Sequence, residues 1–173
     1  MVYTLQQLSD IQEIRDVALR YCRGVDRLDE ALMKSAYWED ATDDHGVYVG
    51  PAHPFVEHCM VSHERYRSTS HRIMNHAIEL APDGVHARGE IYNLTHLLHR
   101  DEPRLDVWQG RYLDDYEKRN GEWRLSARVC VHEGTHSQLV TPMALPGEQF
   151  RQGTEDRGAD HLQPLGTLPP RAP

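Results

Sequence analysis

Asp115-Tyr116-Glu117-Lys118-Arg119-Asn120-Gly121-Glu122-Trp123 decides how the second half of the chain folds. Asn-Gly between strand-forming residues is the strongest short hairpin signal, because both turn positions need a positive φ that these two residues tolerate. A strand over Leu105 to Arg119 is therefore predicted to turn back into one over Glu122 to His132. Upstream, Asp101-Glu102-Pro103 marks another turn, and Val85 to Leu98 reads as a strand. Pro82-Asp83-Gly84 is a hairpin signal, preceded by alternation over Ser70 to Leu80. Four strands joined by short turns make a mostly antiparallel meander.

The first half carries a different period. Ile11, Ile14, Val17, Tyr21 and Val25 recur every three or four residues, as one face of a helix requires. Thr4 or Ser9 can cap that helix, with Asp10 favourable in its first turn. A second helix is predicted over Asp26 to Trp38, with Leu28, Leu32 and Tyr37 buried. Asp43-Asp44-His45-Gly46 reads as a turn and Val47 to Val49 as a short strand. A third helix is predicted over Phe55 to Arg65, with Phe55, Cys59 and Met60 inward. Helices first and a meander after them define an α+β domain. Residues 1–140 form that domain. Residues 141–173, rich in Gly and Pro, read as a lid and tail.

Composition narrows the function. A chain of 173 residues suffices for one domain with a real core. A net charge of −8 argues against nucleic acid, which demands clustered Lys and Arg. No apolar run reaches membrane-spanning length. The N-terminal stretch lacks the basic and apolar regions of a signal peptide. Three widely spaced cysteines, Cys22, Cys59 and Cys130, read as reduced thiols, so a cytoplasmic location is expected.

The candidate chemistry starts at Tyr21-Cys22-Arg23-Gly24-Val25-Asp26, where a tyrosine and an aspartate arrive at the buried side of a helix end. A carboxylate there must find a partner, and His71 is the best candidate. The bland alternatives are a helix-capping Asp26, a backbone-satisfied His71 and a core Tyr21. Twelve histidines require that metal be weighed. His53, His58 and His63 recur every five residues and so rotate around a helix, and no ligand pair stands in the usual spacing with a carboxylate. No metal site is expected. There is no phosphate loop, dinucleotide motif or nucleophile elbow, so no cofactor is expected either.

Taken in order, these motifs resemble a known family. Tyr-x-x-x-x-Asp, Asp-Ala, Gly-x-Tyr-x-Gly, Thr-Ser-His-x-x-x-Asn, Gly-x-Tyr and Asp-Tyr-Glu-Lys-Arg-Asn-Gly-Glu-Trp are similar to the SnoaL-like branch of the nuclear transport factor two-like superfamily, over roughly residues 5 to 140. That branch contains lyases, among them dehydratases and a dehydrochlorinase. The resemblance implies a cone: a strongly curved sheet wrapped around helices and enclosing a deep pocket. It implies that Tyr21, Asp26 and His71 are catalytic, with His71 the general base and Asp26 orienting it. Tyr21 would donate a hydrogen bond to substrate, and Arg128 would stabilise a developing anion.

Sheet alternation chooses the rest of the lining. With His71 inward, Ile91, Asn93 and Thr95 point inward, and Tyr92, Leu94 and His96 outward. Trp108, Gly110 and Tyr112 share one face, as do Arg128, Cys130 and His132. The expected substrate contacts are therefore Tyr48, Asn93, Thr95, Trp108, Tyr112, Arg128, Cys130 and His132. Two departures stand out. Thr95 takes the place of a pocket aspartate found in a family dehydratase, and Asp43 or a neighbour takes the place of a pocket tryptophan in the dehydrochlorinase.

The expected activity is a cofactor-independent lyase acting on a hydrophobic, aromatic or polycyclic small molecule, by dehydration or retro-aldol-type cleavage. An isomerase or polyketide cyclase would use the same pair. A non-catalytic ligand-binding or assembly subunit would have no need of an internal acid/base pair. The family and the apolar outward face of Val85 to Leu98 imply a homotrimer, with a dimer as the alternative. Residues 139 to 150 are expected to act as a lid, and Arg151 to Pro173 as a strap on a neighbour or a disordered tail.

Overall fold

The computed structural model describes residues 2–141 together with Met143 and Arg157. Helix α1 runs from Leu5 to Arg27. Thr4 closes a capping box with Gln7, each side chain bonding the other's backbone amide. Ile14, Val17, Tyr21 and Val25 of the ladder are buried, and Ile11 is half-buried.

The second helix is much shorter than expected. Leu28 adopts φ 52°, in the left-handed region, and ends α1 as its C-terminal cap. Asp29 then caps a new five-residue helix, α2 (Glu30–Lys34), by accepting from the Leu32 amide at 2.9 Å. Met33, not Leu28 or Leu32, is the fully buried apolar residue here. The tight return depends on Gly24. A Cβ at that position would lie 2.6 Å from the Met33 backbone nitrogen, so only glycine lets the two helices approach so closely.

The chain next becomes a strand. β1 (Tyr37–Asp44) replaces the end of the expected helix and the first half of the expected turn. Tyr37, Ala41 and Asp43 are buried along it. Alternation is broken between Tyr37 and Ala41, where Glu39 is exposed and the pairing with β6 shifts register. The short strand β2 (Val49–Pro51) starts two residues later than expected and pairs antiparallel with β1. Helix α3 (Ala52–Ser62) and a short 3-10 turn (His63–Arg65) follow.

The meander is β3 (Tyr66–Leu80), β4 (His86–His99), β5 (Arg104–Arg119) and β6 (Glu122–Leu139). β3 begins four residues earlier than the alternation alone indicated. β6 runs seven residues further, because its end pairs with the start of β5, Leu139 opposite Arg104. At the hairpin, Asn120 and Gly121 both take positive φ, 54° and 86°. The strand order is β2-β1-β6-β5-β4-β3, antiparallel throughout except for the parallel β1–β6 pair.

The result is an α+β cone, with the helices packed on the concave side of a curved, open sheet. Asp10 fastens α1 across it, accepting from Trp123 Nε1 at 2.9 Å and Lys118 Nζ at 2.8 Å. Tyr21, Phe55, Ile91, Tyr112, Tyr116, Trp123 and Leu125 fill the core between the layers. On the convex face Tyr92, Leu113 and Val129 are exposed. No helix among the described residues is long and apolar enough to cross a membrane.

Of the segment expected to form a lid, Leu139 is the exposed end of β6 and Met143 is exposed. The rest of residues 142–150 lies outside the described residues, as does the tail apart from Arg157. The Arg157 side chain is buried, with Nη1 donating to Thr69 Oγ1 at 3.0 Å and Nη2 to the His63 carbonyl at 3.1 Å.

Candidate active site

Sheet register builds one wall of the site. His71 on β3 lies opposite Thr95 on β4, which lies opposite Trp108 on β5. In a nearby row Ile91 is opposite Tyr112, which is opposite Cys130 on β6. Partners across a sheet share a face, so the alternation delivers all of these to the concave side. α1 supplies Tyr21 and Val25, and α3 supplies Phe55 and Cys59. Together they enclose a cavity of about 350 Å³, within the range of small-molecule sites. Trp108 and Tyr112 stack at 6.4 Å and 20° to form its flat side.

The chemistry centres on Asp26, in the last turn of α1. Its Oδ1 lies 2.6 Å from His71 Nδ1 and accepts from Thr69 Oγ1 at 2.8 Å, while its Oδ2 accepts the His71 backbone amide at 2.9 Å. Burial alone would raise this carboxyl. The bonds from the His71 ring and amide and from Thr69 outweigh it and hold the group below its ordinary value. Asp26 stands behind the ring, and His71 lines the cavity. With Nδ1–H given to the carboxylate, Nε2 is the basic nitrogen left for a bound molecule. Arg157 extends the chain of bonds outward, since Thr69 accepts from it while donating to Asp26.

Tyr21 lies edge-on to His71, with ring centroids 6.5 Å apart. Burial raises its hydroxyl well above the ordinary tyrosine range, so it remains a proton donor. Thr95, Trp108, Tyr112, Cys130 and His132 line the cavity as expected from alternation. Three other expected contacts do not. Tyr48 turns away, donates to the Pro51 carbonyl at 2.7 Å and packs on Phe55 and His58. Asn93 is buried one layer deeper, donating to the Tyr112 hydroxyl and accepting from Thr95. Arg128 is sealed between the rings of Tyr21 and Tyr112, 4.2 and 4.0 Å from their centroids, and forms a two-pronged ion pair with Asp114 at 2.7 and 2.8 Å. Its distance from solvent and from the cavity follows from that pairing, because a buried guanidinium must face its carboxylate.

Three histidines that sequence reasoning passed over line the cavity: His45, His58 and His63. His45 follows β1, with Nε2 3.4 Å from the Tyr21 hydroxyl and Nδ1 bonded to Asp43. A period-two reading of Ala41, Asp43 and His45 would have found it. His63 lies against His71 with ring centroids 6.2 Å apart. Burial, followed by the nearby His71 and Arg157, pushes His63 down to about 3, so it is neutral at ordinary pH. Burial also pushes the thiols of Cys22, Cys59 and Cys130 up to about 12, so none is a thiolate nucleophile at neutral pH. Among the described residues no group of three or more His, Cys, Asp or Glu is placed to hold a metal ion.

A second hollow, of about 490 Å³, lies near the β3–β4 turn beside His86, Arg88, Asp115 and Tyr116. His86 and Arg88 are exposed there and already paired, with Asp83 and Asp115 respectively. It offers no buried titratable group aimed at a guest comparable to His71.

Known proteins share this architecture. Hexachlorocyclohexane dehydrochlorinase 1 from Sphingobium indicum is 29% identical over 126 residues, 70% of this chain and 80% of that protein. The crystal structure of a type 2 hexachlorocyclohexane dehydrochlorinase (LinA) superposes with a TM-score of 0.73 at 20% identity, covering 83% of this chain and 98% of the other. A putative scytalone dehydratase from Novosphingobium aromaticivorans superposes with a TM-score of 0.69 at 17% identity, covering 81% and 97%. Residues 6–129, from the first helix into the first half of the last strand, match the SnoaL-like domain. The chain belongs to the SnoaL-like domain family.

Proposed function

We propose that this protein is a lyase that eliminates a leaving group from a small, flat, largely apolar molecule. One observation carries the reading. His71 presents a ring to a cavity walled by Val25, Phe55, Leu97 and Trp108, while its Nδ1 is held 2.6 Å from the Asp26 carboxylate. A carboxylate in that position fixes the tautomer, orients the ring and stabilises the imidazolium formed when Nε2 takes a proton. The names of the dehydrochlorinase and dehydratase relatives fit the same half-reaction, proton abstraction followed by loss of a group from the neighbouring carbon. Chemistry of this kind draws on side chains alone.

The steps follow from the geometry. Substrate lies flat on Trp108 and Tyr112, with an acidic C–H facing His71 Nε2. His71 takes the proton, and the C–H electrons form the new double bond as the leaving group departs. Tyr21 donates a hydrogen bond to the oxygen on which charge develops. Exclusion of water by the apolar wall strengthens each of these contacts.

The test is a screen of flat β-hydroxy ketones, cyclic alcohols and chlorinated cyclohexanes with mass detection of lost water or hydrogen chloride. Product formation by the wild type that disappears in His71→Ala supports the reading. Turnover that persists in His71→Ala would refute it.

A further inference from the structure

The cavity holds a second histidine–carboxylate pair, which the mechanism above does not use. Asp43 is the seventh residue of β1, and its side chain is fully buried. A carboxylate taken out of water needs strong donors. It has two: the Tyr37 hydroxyl donates to Oδ2 at 2.6 Å, and His45 Nδ1 bonds to Oδ1. His45 is clamped further by stacking on Phe55, with centroids 4.3 Å apart and planes at 23°. Its ring orientation is thus set from both sides. The nitrogen left over, Nε2, faces the Tyr21 hydroxyl at 3.4 Å, and the ring lines the same cavity as His71.

The two pairs have the same construction. Each has an aspartate behind Nδ1, a second hydroxyl donor on that aspartate (Thr69 on Asp26, Tyr37 on Asp43), and Nε2 left for the cavity. Tyr21 stands between them, in contact with both rings. One base suffices to remove a proton. A second, oppositely employed group is needed only when the departing atom must gain one. Chloride leaves as a stable anion, whereas hydroxide does not, and its departure demands a proton in the same step.

We infer that Asp43 and His45 form the acid arm of the site, delivering a proton through Tyr21 to an oxygen leaving group, so that the substrate is an alcohol positioned β to an acidic C–H. This rests on the lyase reading given above. In the step, His71 Nε2 gains the proton from carbon, and those electrons form the carbon–carbon double bond. The carbon–oxygen bond breaks, and its pair stays on oxygen. That oxygen takes the Tyr21 proton, Tyr21 takes the one on His45 Nε2, and water leaves. Asp43 stabilises the His45 imidazolium beforehand, as Asp26 stabilises that of His71 afterwards. Solvent exchange restores both rings, and no redox partner is required.

Two probes of one skeleton test this: the β-hydroxy ketone of benzaldehyde and acetone, and the β-chloro ketone with chloride in place of hydroxyl. Both give the same conjugated enone. Loss of an acid catalyst costs on the order of 100- to 10,000-fold, so His45→Gln should lower the hydroxy-to-chloro rate ratio by about 100-fold or more. Asp43→Asn, which keeps the ring and removes the charge behind it, should lower the ratio in the same direction. An unchanged ratio in both variants, with wild type acting on both probes, would overturn the acid arm and leave the lyase reading standing. Wild type acting on neither probe, nor on any compound of the screen above, would remove the lyase reading and the acid arm with it. Nitrogen-15 spectra of the histidine rings supply an arm that needs no turnover. When neutral, His45 should carry its one proton on Nδ1 in wild type, so that the second, deliverable proton is gained at Nε2, and it should lose that preference in Asp43→Asn; a His45 protonated on Nε2 alone when neutral would overturn the inference.

Discussion

Two ion-paired aspartates occupy the same cone and are treated in opposite ways. Asp114 and Arg128 are wholly enclosed, with no exposure of either side chain. Both Asp114 oxygens take a guanidinium bond, Oδ2 also accepts the Tyr116 hydroxyl at 2.6 Å, and the faces of Tyr21 and Tyr112 cover the cation. Burial would lower the Arg128 guanidinium, but the charge of Asp114 outweighs it and holds the group well above its usual value. Asp26 and His71 keep 15% and 9% exposure, and one ring nitrogen is left uncommitted. The sealed pair lines no part of the cavity, and its one unpartnered nitrogen, Arg128 Nη1, is buried where a guest in the cavity does not reach it. The difference teaches how to separate a structural polar group from a chemical one: count the bonding positions still open toward a cavity.

The sharpest way to break the contrast is to truncate one member on each side. His71→Ala should reduce turnover on the order of 100- to 10,000-fold while unfolding in urea changes little, because a residue at a cavity wall leaves no buried charge unpaired beyond Asp26, which Thr69 still serves. Asp114→Ala should do the reverse. Removing one partner of a sealed pair typically costs about 3–5 kcal/mol, so the midpoint of unfolding should fall steeply. Replacing both, Asp114→Leu with Arg128→Met, should recover much of that stability. If Asp114→Ala proved as stable as wild type, the distinction between the two pairs would fail.

How far the sequence reveals this division depends on the residue. The meander was legible because Asn120-Gly121 and Pro82-Asp83-Gly84 state their turns locally, and the alternation between them carries through to Thr95, Trp108 and Tyr112. The Asp26–His71 pair was legible through the family motifs Tyr-x-x-x-x-Asp and Thr-Ser-His, since the helix period alone leaves Asp26 readable as a cap. Arg128 had the correct face but the wrong neighbour. Alternation says which side a residue occupies, not whether an aspartate fourteen positions earlier will claim it. His45 was lost for another reason: Leu28 takes a left-handed backbone that no propensity for leucine announces, so the chain leaves the helix early and begins a strand at Tyr37.

A third experiment sharpens the comparison by pH. Burial depresses His63 to about 3 and His76 to about 4, against an ordinary value near 6.5. Between those values and 6.5 the unfolded chain binds protons that the folded chain refuses. Stability therefore falls as the solution is acidified, by up to about 1.4 kcal/mol per pH unit for each group. The depressed Asp26 adds to the loss only below its ordinary value of 3.8. Replacing His63 with Asn removes its share. Between pH 7 and 5 the variant should lose up to about 2 kcal/mol less than wild type in urea titrations. Parallel curves for the two proteins would show that His63 is not held neutral by its surroundings.

The smallest expected effect is the most discriminating, because Tyr21 belongs to both regions. Its ring face covers Arg128 at 4.2 Å, and its hydroxyl stands 3.4 Å from His45 Nε2 within the cavity. Tyr21→Phe keeps the ring and deletes the hydroxyl. The sealed pair loses nothing, so the stability change should stay within the 0.5–1.5 kcal/mol range of about one hydrogen bond. Turnover should fall by more than that energy converts to, because the deleted group faces charge that develops only in the reaction. Tyr21→Leu deletes the ring as well. It uncovers one side of the Arg128 guanidinium and should cost additional stability, of the order of a cation–π contact and a cavity. A Phe variant that unfolded as readily as the Leu variant would place the hydroxyl among the structural groups. A Phe variant with undiminished turnover would remove Tyr21 from the chemistry and leave His71 to act without it.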